Sequence, residues 1–246
     1  MRKIKLLVQY VGTNYCGWQK QKNGKSIQEV IEKAIEKVLG EKCSLFGAGR
    51  TDAGVHAEAQ VAHFETTKNI HPEKLYHLIN TALPDDIKIL KSEEVSSDFH
   101  SRFSAKKKTY EYKFYVSATD LPLLEQAQTR VGYEFCYKKA KKACKFFVGT
   151  HNFSAFCASG TKVKDTTRTI YSLKLNKVGE KEYSLTVCGN GFLYNMVRIL
   201  AGTIIEVGLN RREVSDIKNI IKSGKRELAG KTMPAKGLTL KKIEYE

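Results

Sequence analysis

Prolines are few. Four occur among the 246 residues, and no Gly/Ser-rich or low-complexity tract is present. A long extended linker is therefore excluded, and a chain compact throughout is expected. The six cysteines (16, 43, 136, 144, 157 and 188) never stand at C-x-x-C spacing, and the six histidines form no H-E-x-x-H. That excludes a zinc knuckle or a thioredoxin-type motif and predicts free, buried thiols. No apolar run approaches the roughly 20 residues of a membrane span. The opening MRKIKLLVQYVG is interrupted at Gln9, Tyr10 and Gly12, so it reads as a first strand rather than a signal peptide. A cytoplasmic protein is expected.

Positive charge is what the sequence has in excess. Lys and Arg number 42 against 26 Asp and Glu, a net charge of +16. Residues 1–105 carry 15 basic and 13 acidic side chains, and residues 106–246 carry 27 and 13. Such a surface attracts polyanions, with RNA, DNA and anionic membranes all qualifying. A generally lysine-rich, solvated surface accounts for the number equally well.

Hydrophobic periodicity gives the same order of elements twice. Ile4 to Val11 reads as a strand. Ser26-Ile-Gln-Glu29 is a capping box opening a helix with Ile27, Val30, Ile31, Ala34, Ile35, Val38 and Leu39 on one face. Cys43–Ala48 and Val55–Glu65 read as strands. Pro72 opens a helix with Leu75, Leu78, Ile79 and Ala82 on one face, and Ile87–Val95 is a strand. In the second half, Thr109–Val116 alternates, with Tyr110, Tyr112, Phe114 and Val116 on one side. A helix follows with Tyr137, Ala140, Cys144, Phe147 and Val148 inward and Lys138, Lys141, Lys142 and Lys145 outward. Strands near Thr169–Lys177 and Tyr183–Cys188, a helix from Leu193 to Ile204, a short helix around Val214–Ile221 and a strand Leu238–Tyr245 complete the order. Both halves spell β-α-β-β-α-β, which predicts an α+β fold of two ferredoxin-like (split βαβ) units. The sheets are expected to be antiparallel, with helices on one side and a cleft between the units. The expected boundary divides 1–105 from 106–246.

One segment stands apart, Gly47-A-G-R-T-D-A-G-V-His56. It lacks the Lys-Ser/Thr ending of a Walker loop. Alternating Val55, Ala57, Ala59 and Val61 put a strand after it, where a dinucleotide fingerprint needs a helix. A strand–turn–strand with an exposed Arg50–Asp52 pair is one reading. The other is a reaction centre: small residues let a flat ligand approach the backbone, and an ionised, positioned carboxylate acts as nucleophile or base.

G-R-T-D-A-G-V-H-A with Gln60 and Phe64 resembles the active-site segment of the TruA family of tRNA pseudouridine synthases. The likeness spans the chain: Tyr10-V-G-T-N-Y-C-G-W-Q19, Asn80-T-A-L-P84, Phe99-H-S-R-F-S-A105 with K-T-Y-E-Y112, Gly149-T-H-N-F-S-A-F156, Arg168-T-I, Gly191-F-L-Y-N-M-V-R198 and Ala235-K-G-L238 match in the family's order. The resemblance implies isomerisation of uridine to pseudouridine in the anticodon stem-loop of tRNA, with the RNA in the central cleft of a homodimer and with no metal or organic cofactor.

By the same resemblance Asp52 is the catalytic aspartate, attacking C1′ or abstracting a sugar proton. Tyr110 stacks on the flipped base, though its strand face also suits a core aromatic. Arg198 pairs with the aspartate. Arg50 takes the place of the flipped nucleotide or contacts phosphate, and Leu238 packs beneath the tyrosine or base, an ordinary core leucine being nearly as good a reading. Lys106, Lys107, Lys108, Lys162, Lys164 and Arg168 are candidate phosphate contacts. Glu111 departs from the family, whose members often carry a basic residue there. A paralogue acting on ribosomal RNA and a non-catalytic RNA-binding protein are the alternatives.

Overall fold

The computed structural model describes residues 1–22, 24–132, 134–160 and 163–246; Lys162 lies outside them. The chain divides into two compact units, one of Met1–Lys106 with Thr239–Glu246 and one of Lys107–Leu238.

The first unit contains β1 (Arg2–Tyr10), α1 (Ile27–Leu39), β2 (Phe46–Gly47), β3 (His56–Thr66), α2 (Pro72–Asn80) and β4 (Ile87–Val95). β1 is central and antiparallel to both β3 and β4, with Ile4 opposite Phe64 and Val8 opposite Gln60. Its alternation puts Ile4, Leu6, Val8 and Tyr10 in the core. The helices cover that face. α1 begins where Ser26 Oγ accepts the Glu29 amide at 3.3 Å, and ends where Gly40 takes φ +68°, a stop that favours glycine. Ile27, Ile31, Ala34, Ile35 and Leu39 form its buried face. Each large aliphatic side chain there contributes roughly 1.5–3 kcal/mol of burial. On α2, Leu75 and Ile79 are buried, but Leu78, expected beside them, is 40% exposed. The buried stripe of this helix is Leu75 and Ile79, four residues apart on one face.

The second unit contains β5 (Lys107–Tyr115), β6 (Thr129–Arg130), α3 (Tyr137–Cys144), β7 (Gly149–Asn152), β8 (Thr167–Lys177), β9 (Glu182–Gly189), α4 (Met196–Gly208) and α5 (Asp216–Ser223). β5, β9, β8 and β7 are adjacent in that order and antiparallel, while β6 lies parallel to β5. α4 is the core helix, with 11 of its 13 residues buried. Thr203 Oγ1 donates to the Ile199 carbonyl at 2.8 Å and accepts the Gly230 amide at 2.8 Å, which lays the segment after α5 across α4.

The last strand, β10 (Leu238–Glu244), runs parallel to β3, with Thr239 opposite His56 and Leu240 opposite Ala57. Sequence order groups it with the second half, but from Thr239 onward it belongs to the first unit.

Three further differences have local causes. β2 has two residues rather than six, because Leu45 is already engaged by α1: its amide donates to Glu32 Oε1 at 3.1 Å and its carbonyl accepts Gln28 Nε2 at 3.0 Å. α3 gives way after Cys144 to a 3₁₀ turn, Lys145–Phe147; the changed period leaves Val148 42% exposed. α4 starts at Met196 rather than Leu193, because Asn195 at φ +58° breaks the helical path.

Candidate functional site

The segment from Gly47 to His56 is held on both sides. Ala48 donates its amide to the Val61 carbonyl at 2.8 Å, Trp18 donates to the Thr51 carbonyl at 3.1 Å, and Gly54 donates to the Tyr15 carbonyl at 3.3 Å. Gln60, fully buried in β3, donates Nε2 to the Gly49 carbonyl at 2.9 Å. The hydroxyls of Tyr10 and Thr51 lie 2.8 Å apart, and the Gly12 amide donates to His56 Nδ1 at 3.1 Å. Burial holds the Tyr10 phenol well above its usual pKa, so it stays neutral.

Glycine is required where these segments meet. Gly17 has φ +103°, and a Cβ there would stand 2.5 Å from the Thr51 carbonyl oxygen. A Cβ on Gly47 would collide with the Trp18 indole. Tyr10–Gln19 and Gly47–His56, two separate motifs in the sequence, are one packed object in the fold. Within it Thr51 is buried, Asp52 is half-buried and Ala53 is exposed, so the carboxylate stands at the rim of a rigid loop. Arg50 is exposed and its Nε donates to Gln19 Oε1 at 3.3 Å.

The other candidate residues, Lys106 apart, lie in the second unit. Tyr110, buried on β5 opposite Val187, meets Phe192 edge-on at 5.3 Å and 86°. Lys108, opposite Gly189, is half-buried. Arg168 donates Nη1 to the carbonyls of Asp165 (3.0 Å) and Thr167 (2.6 Å), and its Cδ would lie 3.9 Å from a Cβ on Gly191. The turn at 189–192 thus gathers Tyr110, Lys108 and Arg168. Lys107 lies over the Tyr171 ring at 5.6 Å; Lys106 and Lys164 are exposed. Glu111 accepts from Ser184 Oγ at 2.5 Å.

Arg198, half-buried in the first turn of α4, donates Nε to the Met233 carbonyl at 2.6 Å and Nη1 to Asn195 Oδ1 at 2.8 Å. Two bonds from different directions fix the guanidinium plane. Next along the chain, the Pro234 carbonyl accepts the Tyr112 hydroxyl at 2.9 Å, and a 3₁₀ turn over Ala235–Gly237 leads into buried Leu238. A Cβ on Gly237 would stand 2.7 Å from the Lys113 carbonyl and 2.8 Å from Tyr112 Cζ, which explains the glycine of A-K-G-L. Sequence reasoning missed Gln19, Phe192 and Asn195 as partners of Arg50, Tyr110 and Arg198. Phe192 and Asn195 both precede α4 within Gly191–Arg198, and a polar residue just before an apolar helix was the available signal for Asn195.

Among the described residues, no group of three or more His, Cys, Asp or Glu side chains is placed to hold a metal ion, and no helix is long and apolar enough to cross a membrane.

A family model described as tRNA pseudouridine synthase matches residues 6–104 and 143–246. The chain belongs to the tRNA pseudouridine synthase family. Among curated relatives it is 48% identical over 245 residues to tRNA pseudouridine synthase A of Ruminiclostridium cellulolyticum, 46% identical over 245 residues to that of Acetivibrio thermocellus and 45% identical over 251 residues to that of Clostridium acetobutylicum. Each alignment covers 100% of this chain and 100% of the relative. β5, with Tyr110 and Lys108, falls between the two segments of the family model, and the full-length alignments to the synthases run through it.

Proposed function

We propose that this protein is a tRNA pseudouridine synthase that isomerises uridine in the anticodon stem-loop. The observation that carries the reading is full-length similarity to synthases of that name, in a chain whose G-R-T-D segment is a rigid loop with a half-buried carboxylate at its rim. In this reaction the C1′–N1 bond breaks, the base turns, and C1′ bonds to C5. The C5 proton leaves and N1 gains one, so no oxidant or reductant is consumed.

In this reading Asp52 acts at the sugar, as nucleophile on C1′ or as base on a sugar proton. Tyr110 stacks on the extruded base, where stacking is worth roughly 1–3 kcal/mol against an unstacking cost of a few kcal/mol. Phe192 against its edge sets the ring plane. Arg198, fixed by Asn195 and the Met233 carbonyl, orients and neutralises the carboxylate of Asp52. Arg50 occupies the place the nucleotide leaves, Leu238 supports the tyrosine or base, and Lys108 and Arg168 contact phosphates. The working form is a cytoplasmic homodimer.

The test is release of tritium from tRNA labelled at uridine C5. Release by the native protein that falls below detection in Asp52→Ala supports the proposal. RNA binding without release would sink it and leave an RNA-binding protein. Sequencing for pseudouridine in cells with and without the gene separates tRNA from ribosomal RNA, and sedimentation tests the dimer.

A further inference from the structure

α3 is an eight-residue helix that spells YKKAKKAC. Its inward face, Ala140, Ala143 and Cys144, packs against the unit's core, and Lys138, Lys141 and Lys142 point outward with Lys145 just beyond. The arrangement is costly to the helix itself. Lys138 faces Lys141 and Lys142 across one turn, and both of those face Lys145; like charges at such spacing destabilise a helix. The first turn holds no acidic residue, so two lysines sit where the helix dipole favours an anion. Among the described residues, no acidic side chain forms an ion pair with any of these four lysines. Other lysines do have a glutamate partner: Lys3, Lys5, Lys20, Lys33 and Lys91 in the first unit, and Lys113 and Lys236 in the second. The charge continues onto α5, whose Lys218 lies over the Phe146 ring at 5.3 Å.

We propose that the outer face of α3, extended by Lys218, binds the phosphate backbone of the substrate RNA at a part of the molecule separate from the modified stem-loop. The inference rests on the reading of the protein as a tRNA-modifying enzyme. A polyanion removes the mutual repulsion of the four lysines, and their spacing along the helix, about 5–6 Å per turn, gives a row of cations that a sugar–phosphate chain can follow. The position argues for a separate segment. α3 packs on β8, which is two strands from β5 and Tyr110. At about 4.8 Å per strand and about 10 Å for the helix layer, the outward lysines stand on the order of 15–20 Å from the Tyr110 ring.

The experiment compares full-length tRNA with the isolated anticodon stem-loop, using the native protein, the combined variant Lys138→Gln, Lys141→Gln, Lys142→Gln, Lys145→Gln, and the matching combined variant to Arg. Glutamine and arginine are both good helix formers, and melting curves check the fold. The Gln variant is expected to bind full-length tRNA about tenfold or more weakly, and its slope of log affinity against log salt should be shallower by about 3. Tritium release from the stem-loop should stay within about twofold, and the Arg variant should retain native binding. Unchanged binding of full-length tRNA overturns the proposal, as does an equal loss on both RNAs. So does lysine-dependent binding of vesicles of phosphatidylglycerol with tRNA binding unaffected, which would assign the face to a membrane. If the native protein released no tritium while the lysines still governed tRNA binding, the catalytic reading would fail and this one would stand.

Discussion

Tyr10 reaches from the end of β1 to Thr51, and their hydroxyls lie 2.8 Å apart in the interior, one residue before the aspartate of G-R-T-D. A core tyrosine thereby governs the position of a rim carboxylate. Tyr10→Phe leaves the buried Thr51 hydroxyl without that partner, at a cost of about 1–2 kcal/mol. The expected outcome is a melting temperature lower by about 3–6 °C. We expect kcat for tritium release to fall about tenfold while KM stays within about twofold, since misplacing a catalytic group harms the reaction more than binding.

Two glycines with similar backbones should respond differently to alanine. Gly17 at φ +103° abuts the Thr51 carbonyl, whereas Gly40 at φ +68° has nothing within 4 Å of its would-be Cβ. Gly40→Ala should cost only the left-handed strain, about 1 kcal/mol, with activity intact. Gly17→Ala should abolish activity and melt lower than Gly40→Ala. Parallel calorimetry and tritium release check the pair, and equal behaviour would contradict the close packing around Thr51.

Acid stability should depend on His63. Burial, with His100 and then Lys3 nearby, pushes its pKa down to about 4, and its Nδ1 lies 2.9 Å from Ser101 Oγ. A histidine that titrates lower in the folded state binds protons better when unfolded. Its contribution is therefore complete above about pH 6.5 and is lost as pH falls toward about 4. The loss is on the order of 2–3 kcal/mol. Trp18, the single tryptophan and a member of the same unit, reports the transition by fluorescence. Urea midpoints of the native protein should fall between pH 7 and pH 4.5, and those of His63→Gln should fall less.

Arg198 should not tolerate lysine. Its fork uses Nε and Nη1 on two different acceptors, and an ammonium cannot reproduce that plane. Arg198→Lys is expected to lower kcat at least about a hundredfold. Asn195→Ala, which removes one of those acceptors and places alanine at φ +58°, should lower kcat by about tenfold with little change in KM. A KM effect alone in both variants would instead assign Arg198 to RNA binding.

Much of this was legible in the sequence. The capping box at Ser26 and the glycine at 40 bracket α1 because caps are local chemistry. β1 and β5 follow their alternation because one face of each is core. What was not legible depended on distant partners. Leu45 leaves its strand because Gln28 and Glu32 reach it from α1, and no pattern within residues 43–48 records that. β6 and β7, of two and four residues, are too short to carry a period. At the site, Asp52, Tyr110 and Arg198 came from motif likeness, while the pairing of Phe192 with Tyr110 and of Asn195 with Arg198 became visible only once the turn at 189–192 and the left-handed step before α4 were in place.

The return of β10 to β3 bears on how the protein is made. Residues 107–238 form a contiguous unit, whereas the first unit needs Thr239–Glu246 to complete its strand pairing. On the ribosome, the part synthesised first is therefore the part finished last. The G-R-T-D loop spends the time needed to translate more than a hundred codons beside a β3 whose His56 and Ala57 still lack Thr239 and Leu240 along one edge. A strand edge left open in this way is a template for wrong pairing. A nascent-chain stall placed before codon 239 should leave the first unit protease-sensitive while the second is already resistant.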